Sequence, residues 1–155
     1  VTADQAQANQ QGDMLTTIYK YNPLYWGITK LFKKQFLGLM GATDSVVASL
    51  NAEQLDLVNK IIDYMNPVSP RSAGVAFDNK AKMPNERIAA IEAPTLIFHA
   101  KDDTLQIYHN AEYAAATIPG AKLVSFDHGG HLLMVVERAA IGEELQKHIL
   151  GYAGE

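Results

Sequence analysis

Cysteine is absent from the 155 residues, which excludes disulfides, thiolate nucleophiles and zinc–thiolate centres and leaves histidine and carboxylate chemistry. Charge of one dominant sign is absent too: 13 Lys and Arg face 17 Asp and Glu, scattered and not blocked, for a net charge of −4. Such a surface has no electrostatic footprint for nucleic acid or an anionic membrane, so neither is expected as a partner. No stretch approaches the roughly 18 consecutive apolar residues of a membrane span, and the opening residues lack the basic-then-apolar layout of a signal peptide. The expectation is a soluble, cytoplasmic chain. What is plentiful is apolar material, 48% of the residues, enough to bury a core. Val1 in place of methionine, followed by the polar run Ala3 to Gln11, predicts a piece cut from a longer protein.

Two textures divide the chain. Residues 1–12, rich in Gln, Ala and Asn without a clear period, predict a frayed or weakly helical lead-in. From Asn22-Pro23, a good cap followed by a first-turn proline, Leu24, Ile28, Leu31, Phe32, Phe36 and Leu39 recur at helical spacing, with Lys30, Lys33 and Lys34 on a solvated opposite face. Gly41 suits a helix stop. Asn51 with Gln54 three residues later reads as a capping box, opening a helix that turns Leu55, Val58, Ile61, Ile62 and Met65 inward until Pro67 and Pro70 end it. Residues 13–66 are thus expected to be helical, and Ser69 to Pro84 to form an irregular connection. The aromatic group Tyr19, Tyr21, Tyr25, Trp26, Phe32 and Phe36 suits a core better than a substrate pocket.

The second texture is strand-like. Pro94 to His99 predicts a β-strand, Tyr108 to Ile118 a helix, Pro119-Gly120 a turn, and Lys122 to Phe126 a second, parallel strand. A closing helix from about Val135 to Leu150 would set Ile141, Leu145 and Ile149 against the sheet. The fold class is therefore α/β, a helical segment followed by a β-α-β-α unit. Functional crevices of open α/β sheets lie beyond the carboxyl ends of the strands, where Ala100 to Asp103 and Asp127 to His131 stand. Parallel neighbours bring both loops to one edge, so Asp103 and His131 can meet as an acid–base pair. A metal pair from His128 and His131 is the weaker alternative, because a catalytic zinc requires three protein ligands.

The run Ile91 to Asp103, then Ile118-Pro-Gly-Ala-Lys-Leu123 and Gly129-Gly-His131, is similar to the closing portion of the α/β-hydrolase family. The resemblance implies that Asp103 matches the acid of a Ser-His-Asp triad and His131 its base; Asp102 matches nothing, and Ala100 stands where the family usually has glycine. It further implies a partial α/β-hydrolase fold: residues 1–80 as a helical cap or lid, and residues 81–155 as the C-terminal part of the core. The family's Gly-x-Ser-x-Gly elbow occurs nowhere here, and its oxyanion donors lie earlier in chain order. The chain is thus expected to be a serine-hydrolase fragment, inactive without its nucleophile half and needing no cofactor. That half, or a second copy paired through an exposed sheet edge, is the expected partner, with a small-molecule substrate between cap and strand ends. The alternative is a non-enzymatic ligand- or partner-binding module of the same shape.

Overall fold

The computed structural model describes residues 3–80 and 86–152. It is a mixed α/β structure, mostly helical, with a two-stranded parallel sheet. Five helices come first: α1 (Ala3–Tyr19), α2 (Asn22–Leu31), α3 (Lys33–Leu39), α4 (Asp44–Ser49) and α5 (Ala52–Met65). A 3-10 turn at Ser69–Arg71 leads into α6 (Ser72–Lys80). Another 3-10 turn, Glu86–Ala90, precedes β1 (Leu96–Ala100), α7 (Tyr108–Thr117), β2 (Lys122–Phe126), α8 (Leu133–Val136) and α9 (Arg138–Tyr152).

The capping box at Asn51 forms in full, the Asn51 side chain accepting from the Gln54 amide and the Gln54 side chain from the Asn51 amide, both at 2.9 Å. Three expectations are corrected. The lead-in is not frayed: α1 runs from residue 3 and buries Ala8, Gly12, Leu15 and Ile18, a stripe whose small members carry little apolar signal in sequence. The helix begun at Asn22 breaks at Phe32, where α3 starts afresh. The connection after Pro67 is helical over 72–80, held to α1 by Asn79, whose amide donates to the Gly12 carbonyl at 2.5 Å. The rest of that predicted connection, 81–84, lies outside the described residues, as does the segment just after the expected 80/81 boundary.

One hydrophobic cluster joins Leu15, Tyr19, Tyr25, Phe36, Val46, Val58, Ile62 and Val68 of the helical segment to Val135, with Leu105 and Leu132 packed against it. The aromatic group splits: Tyr19, Tyr25 and Phe36 stack edge to face in this core, whereas Tyr21, Trp26 and Phe32 are exposed. The phenol of Tyr25 donates to the Ile62 carbonyl at 2.7 Å, and burial pushes its pKa well above the ordinary range.

The sheet pairs Leu96 with Lys122 through Ala100 with Phe126. Alternation along the strands gives each face a different cover. Phe98, Ala100 and Phe126 meet Leu133 and Ile141, while His99 and Ser125 face α7, where the Tyr108 ring contacts His99 and its hydroxyl lies 2.5 Å from the Ser125 hydroxyl. The expected closing helix is interrupted at Glu137, and of its three inward residues only Ile141 is buried; Leu145 and Ile149 are exposed. Among the described residues each strand has one unpaired edge.

Candidate functional site

The acid loop leaves the carboxyl end of β1 and the histidine loop leaves the carboxyl end of β2. Because the strands are parallel and in register, the two loops emerge side by side, and three consecutive residues of one reach the other. The Lys101 ammonium contacts the Asp127 carboxylate at 2.7 Å, Asp102 Oδ1 accepts from the Gly130 amide at 2.7 Å, and Asp103 Oδ2 lies 2.9 Å from His131 Nδ1. The Lys101 partnership holds the Asp127 carboxyl below its usual range, chiefly through the hydrogen bond and secondarily through charge.

Asp103 is fixed before it meets the histidine. Its Oδ1 accepts from the amides of Leu105 and Gln106 at 2.8 and 3.0 Å, a local turn that leaves Oδ2 for the imidazole. The Asp103 side chain is only 7% exposed and that of His131 36%, so the carboxylate is sheltered and the ring is open to solvent on its far side. In the tautomer in which Nδ1 donates to Asp103, Nε2 carries the lone pair. Such an arrangement orients the ring, stabilises its cation and leaves Nε2 free to take a proton.

The helical segment reaches the same place. Gly41, between α3 and α4, gives its carbonyl to the His131 amide at 3.3 Å. Its φ of +79° belongs to glycine, and a Cβ there would stand 2.8 Å from Asp103 Oδ1. Gly130 is equally constrained: a Cβ on it would meet the Gly41 carbonyl oxygen at 2.5 Å. Sequence reasoning singled out Asp103 and His131 but gave no role at the site to Asp102, which matches no triad position, or to Gly41, read as a helix stop. The consecutive acids Asp102-Asp103 opposite Gly130-His131 were a readable signal for the first; Gly41 had none, since its contacts are tertiary. A cavity of about 380 Å³ adjoins the acid loop between Asp4 and Gln7 of α1 and Tyr108 of α7; His131 does not line it.

Of the other histidines, His128 is exposed, 3.7 Å from Asp102 Oδ2, and His109 stands on the surface of α7, 3.7 Å from Glu112. His148 Nε2 lies 3.3 Å from the Pro94 carbonyl oxygen. Among the described residues no group of three or more His, Asp or Glu is arranged to hold a metal ion.

No family model matches the sequence. Among the curated proteins it resembles are two named "Putative carbamate hydrolase RutD". The one from Stutzerimonas stutzeri is 30% identical over 91 residues, 59% of this chain and 32% of the relative. The one from Azorhizobium caulinodans is 30% identical over 109 residues, 70% of this chain and 38% of the relative. This similarity supports a relationship to a hydrolase family. The chain spans about a third of the length of these curated relatives. No described helix is long and apolar enough to cross a membrane.

Proposed function

We propose that this chain is the C-terminal portion of a serine hydrolase of the α/β-hydrolase type, in which Asp103 and His131 are the acid and base of a Ser-His-Asp triad. The observation that carries the reading is the 2.9 Å contact between Asp103 Oδ2 and His131 Nδ1, made by loops that follow neighbouring parallel strands. The serine and the oxyanion donors would come from a preceding half of the protein. In the reaction, His131 Nε2 takes the serine proton as the hydroxyl oxygen attacks a carbonyl carbon, then delivers that proton to the leaving group as the acyl bond breaks. Asp103 stays ionised and stabilises the imidazolium formed in between. The names of the similar proteins make a carbamate carbonyl one substrate class to assay first. Residues 1–80 act as the cap over this site, and the unpaired edge of β1 receives a strand of the preceding half.

The test is fluorophosphonate labelling of the protein containing both halves. A serine outside this chain should label, and labelling and turnover should fall by about 10³-fold or more in His131→Ala and in Asp103→Asn, in which the carboxamide favours the wrong imidazole tautomer. Unchanged labelling in both variants, or labelling on this chain, overturns the reading. Light scattering tests the edge: the isolated chain should self-associate and the two-half protein should not. A monodisperse monomer of the isolated chain at tens of micromolar refutes an edge that needs a partner.

A further inference from the structure

We propose that Asp102 is a positioning residue whose carboxylate anchors the Gly130 amide and thereby holds His131 where Nδ1 meets Asp103. Where the proposed hydrolytic function concerns Asp103 and His131 themselves, this inference concerns what places the ring, and it rests on that function only for its effect on turnover.

The two neighbouring carboxylates of the acid loop divide the work. Asp102 and Gly130 are 28 positions apart, as are Asp103 and His131, two more than the 26 that separate the paired strand residues, so both contacts share one loop register shifted by two residues. One acid binds the main chain just before the histidine and the other binds its side chain. The Asp102 side chain is 21% exposed, and its Oδ1 bond to the Gly130 amide is 2.7 Å, short as expected for an ionised acceptor. Beyond it the amide of His131 goes to Gly41 and that of Leu132 to Gly129, so three successive amides are each committed to a partner. Of the three, only Gly130 is held by an ionised side chain, and charge-assisted bonds are roughly twice as strong as neutral ones. Gly130 takes a φ of +50°, a backbone setting that few other restraints enforce at a glycine. Without the Asp102 anchor the amides from Gly130 to Leu132 keep only the weaker 3.3 Å bond to Gly41 as a hydrogen bond outside their own loop, beside the Lys101–Asp127 contact at the loop's start, and the ring's distance to Asp103 is less firmly fixed.

A positioning role predicts a spectroscopic change that loss of stability alone does not. In proton NMR of the full chain, the Nδ1 proton shared with Asp103 should give a downfield resonance, assigned by its disappearance in Asp103→Asn. Asp102→Ala should broaden or abolish that resonance while circular dichroism stays that of the wild type. Asp102→Asn, whose carboxamide oxygen can still accept from Gly130, should restore it. Should Asp102→Ala fail to fold, amide exchange in Asp102→Asn decides: Gly130 should exchange roughly five- to tenfold faster than in the wild type, a neutral acceptor being the weaker one. A folded Asp102→Ala with the resonance unaltered, or Gly130 exchange unaltered in Asp102→Asn, overturns the proposal. None of these measurements requires turnover, so the positioning role and the hydrolytic reading fail separately. In the protein containing both halves, Asp102→Ala should lower kcat with little change in KM; an unchanged kcat beside an altered Nδ1 resonance would overturn the hydrolytic reading and leave the positioning role standing.

Discussion

Replacing Gly41 by alanine tests the junction between the helical segment and the acid–histidine pair. At φ +79° an alanine backbone is disfavoured by about 1–2 kcal/mol. The new methyl would also stand 2.8 Å from both Asp103 Oδ1 and Leu105 Cβ and 3.0 Å from the Leu105 amide. Relief of such overlap in a packed region costs typically about 1–3 kcal/mol. Against this, alanine restricts the unfolded chain and returns about 0.4–1 kcal/mol. The expected loss is about 1–4.5 kcal/mol from these contributions together. In urea unfolding it should lower the midpoint by about 0.5–2 M at the slope usual for a small domain, with the downfield Nδ1 proton perturbed because Asp103 must move. Gly27→Ala is the control: this glycine lies within α2 with nothing within 4 Å of a built Cβ, so alanine should raise stability by about 0.5–1 kcal/mol. If both variants unfold at or above the wild-type midpoint, the close approach of Gly41 to Asp103 is wrong, and with it the tertiary seating of the site.

Tyr25→Phe should cost about 1–3 kcal/mol, because it leaves the buried Ile62 carbonyl without its 2.7 Å donor, and denaturant melts would read the loss. Glu144, held by Lys122 and Lys147, has a carboxyl pKa lowered to about 2, so its stabilising contribution is present above about pH 4.5 and disappears as pH falls towards 2. Glu144→Gln should therefore flatten the dependence of the melting temperature on pH across that interval and leave its shape above pH 5 unchanged.

The β-α-β unit was legible because its signals are local. A short β-rich run, an alanine-rich helix, Pro119-Gly120 and a second run fall within about thirty residues, and strand β2 appears with the bounds its residues suggest. The pairing of Asp103 with His131 follows from the same locality, since neighbouring parallel strands deliver the loops that follow them to one edge. The packing of the first turns of helix α1 was not legible, because Ala8 and Gly12 on its buried side are chosen for closeness and not for hydrophobicity. Helix α6 was hidden by prolines and a glycine that usually mark loops, and its hold on α1 through Asn79 is a contact across 67 positions. The exposure of Leu145 and Ile149 was equally unreadable: periodicity reports which residues share a helix side, not whether anything covers it. Asp102 was set aside because it matches no triad position, and its bond to the backbone of the histidine loop is a tertiary contact.

The Gly41 carbonyl has a consequence for how anything enters the site. The corner between α3 and α4 supports the histidine loop, since the amide of His131 donates to that carbonyl. Swinging the corner outward would cost the His131 amide its acceptor and leave the ring to the contacts of Asp102 and Asp103. Under the proposed hydrolytic function, admission and alignment would be mechanically coupled, and a substrate entering without disturbing this corner would meet a base already aimed.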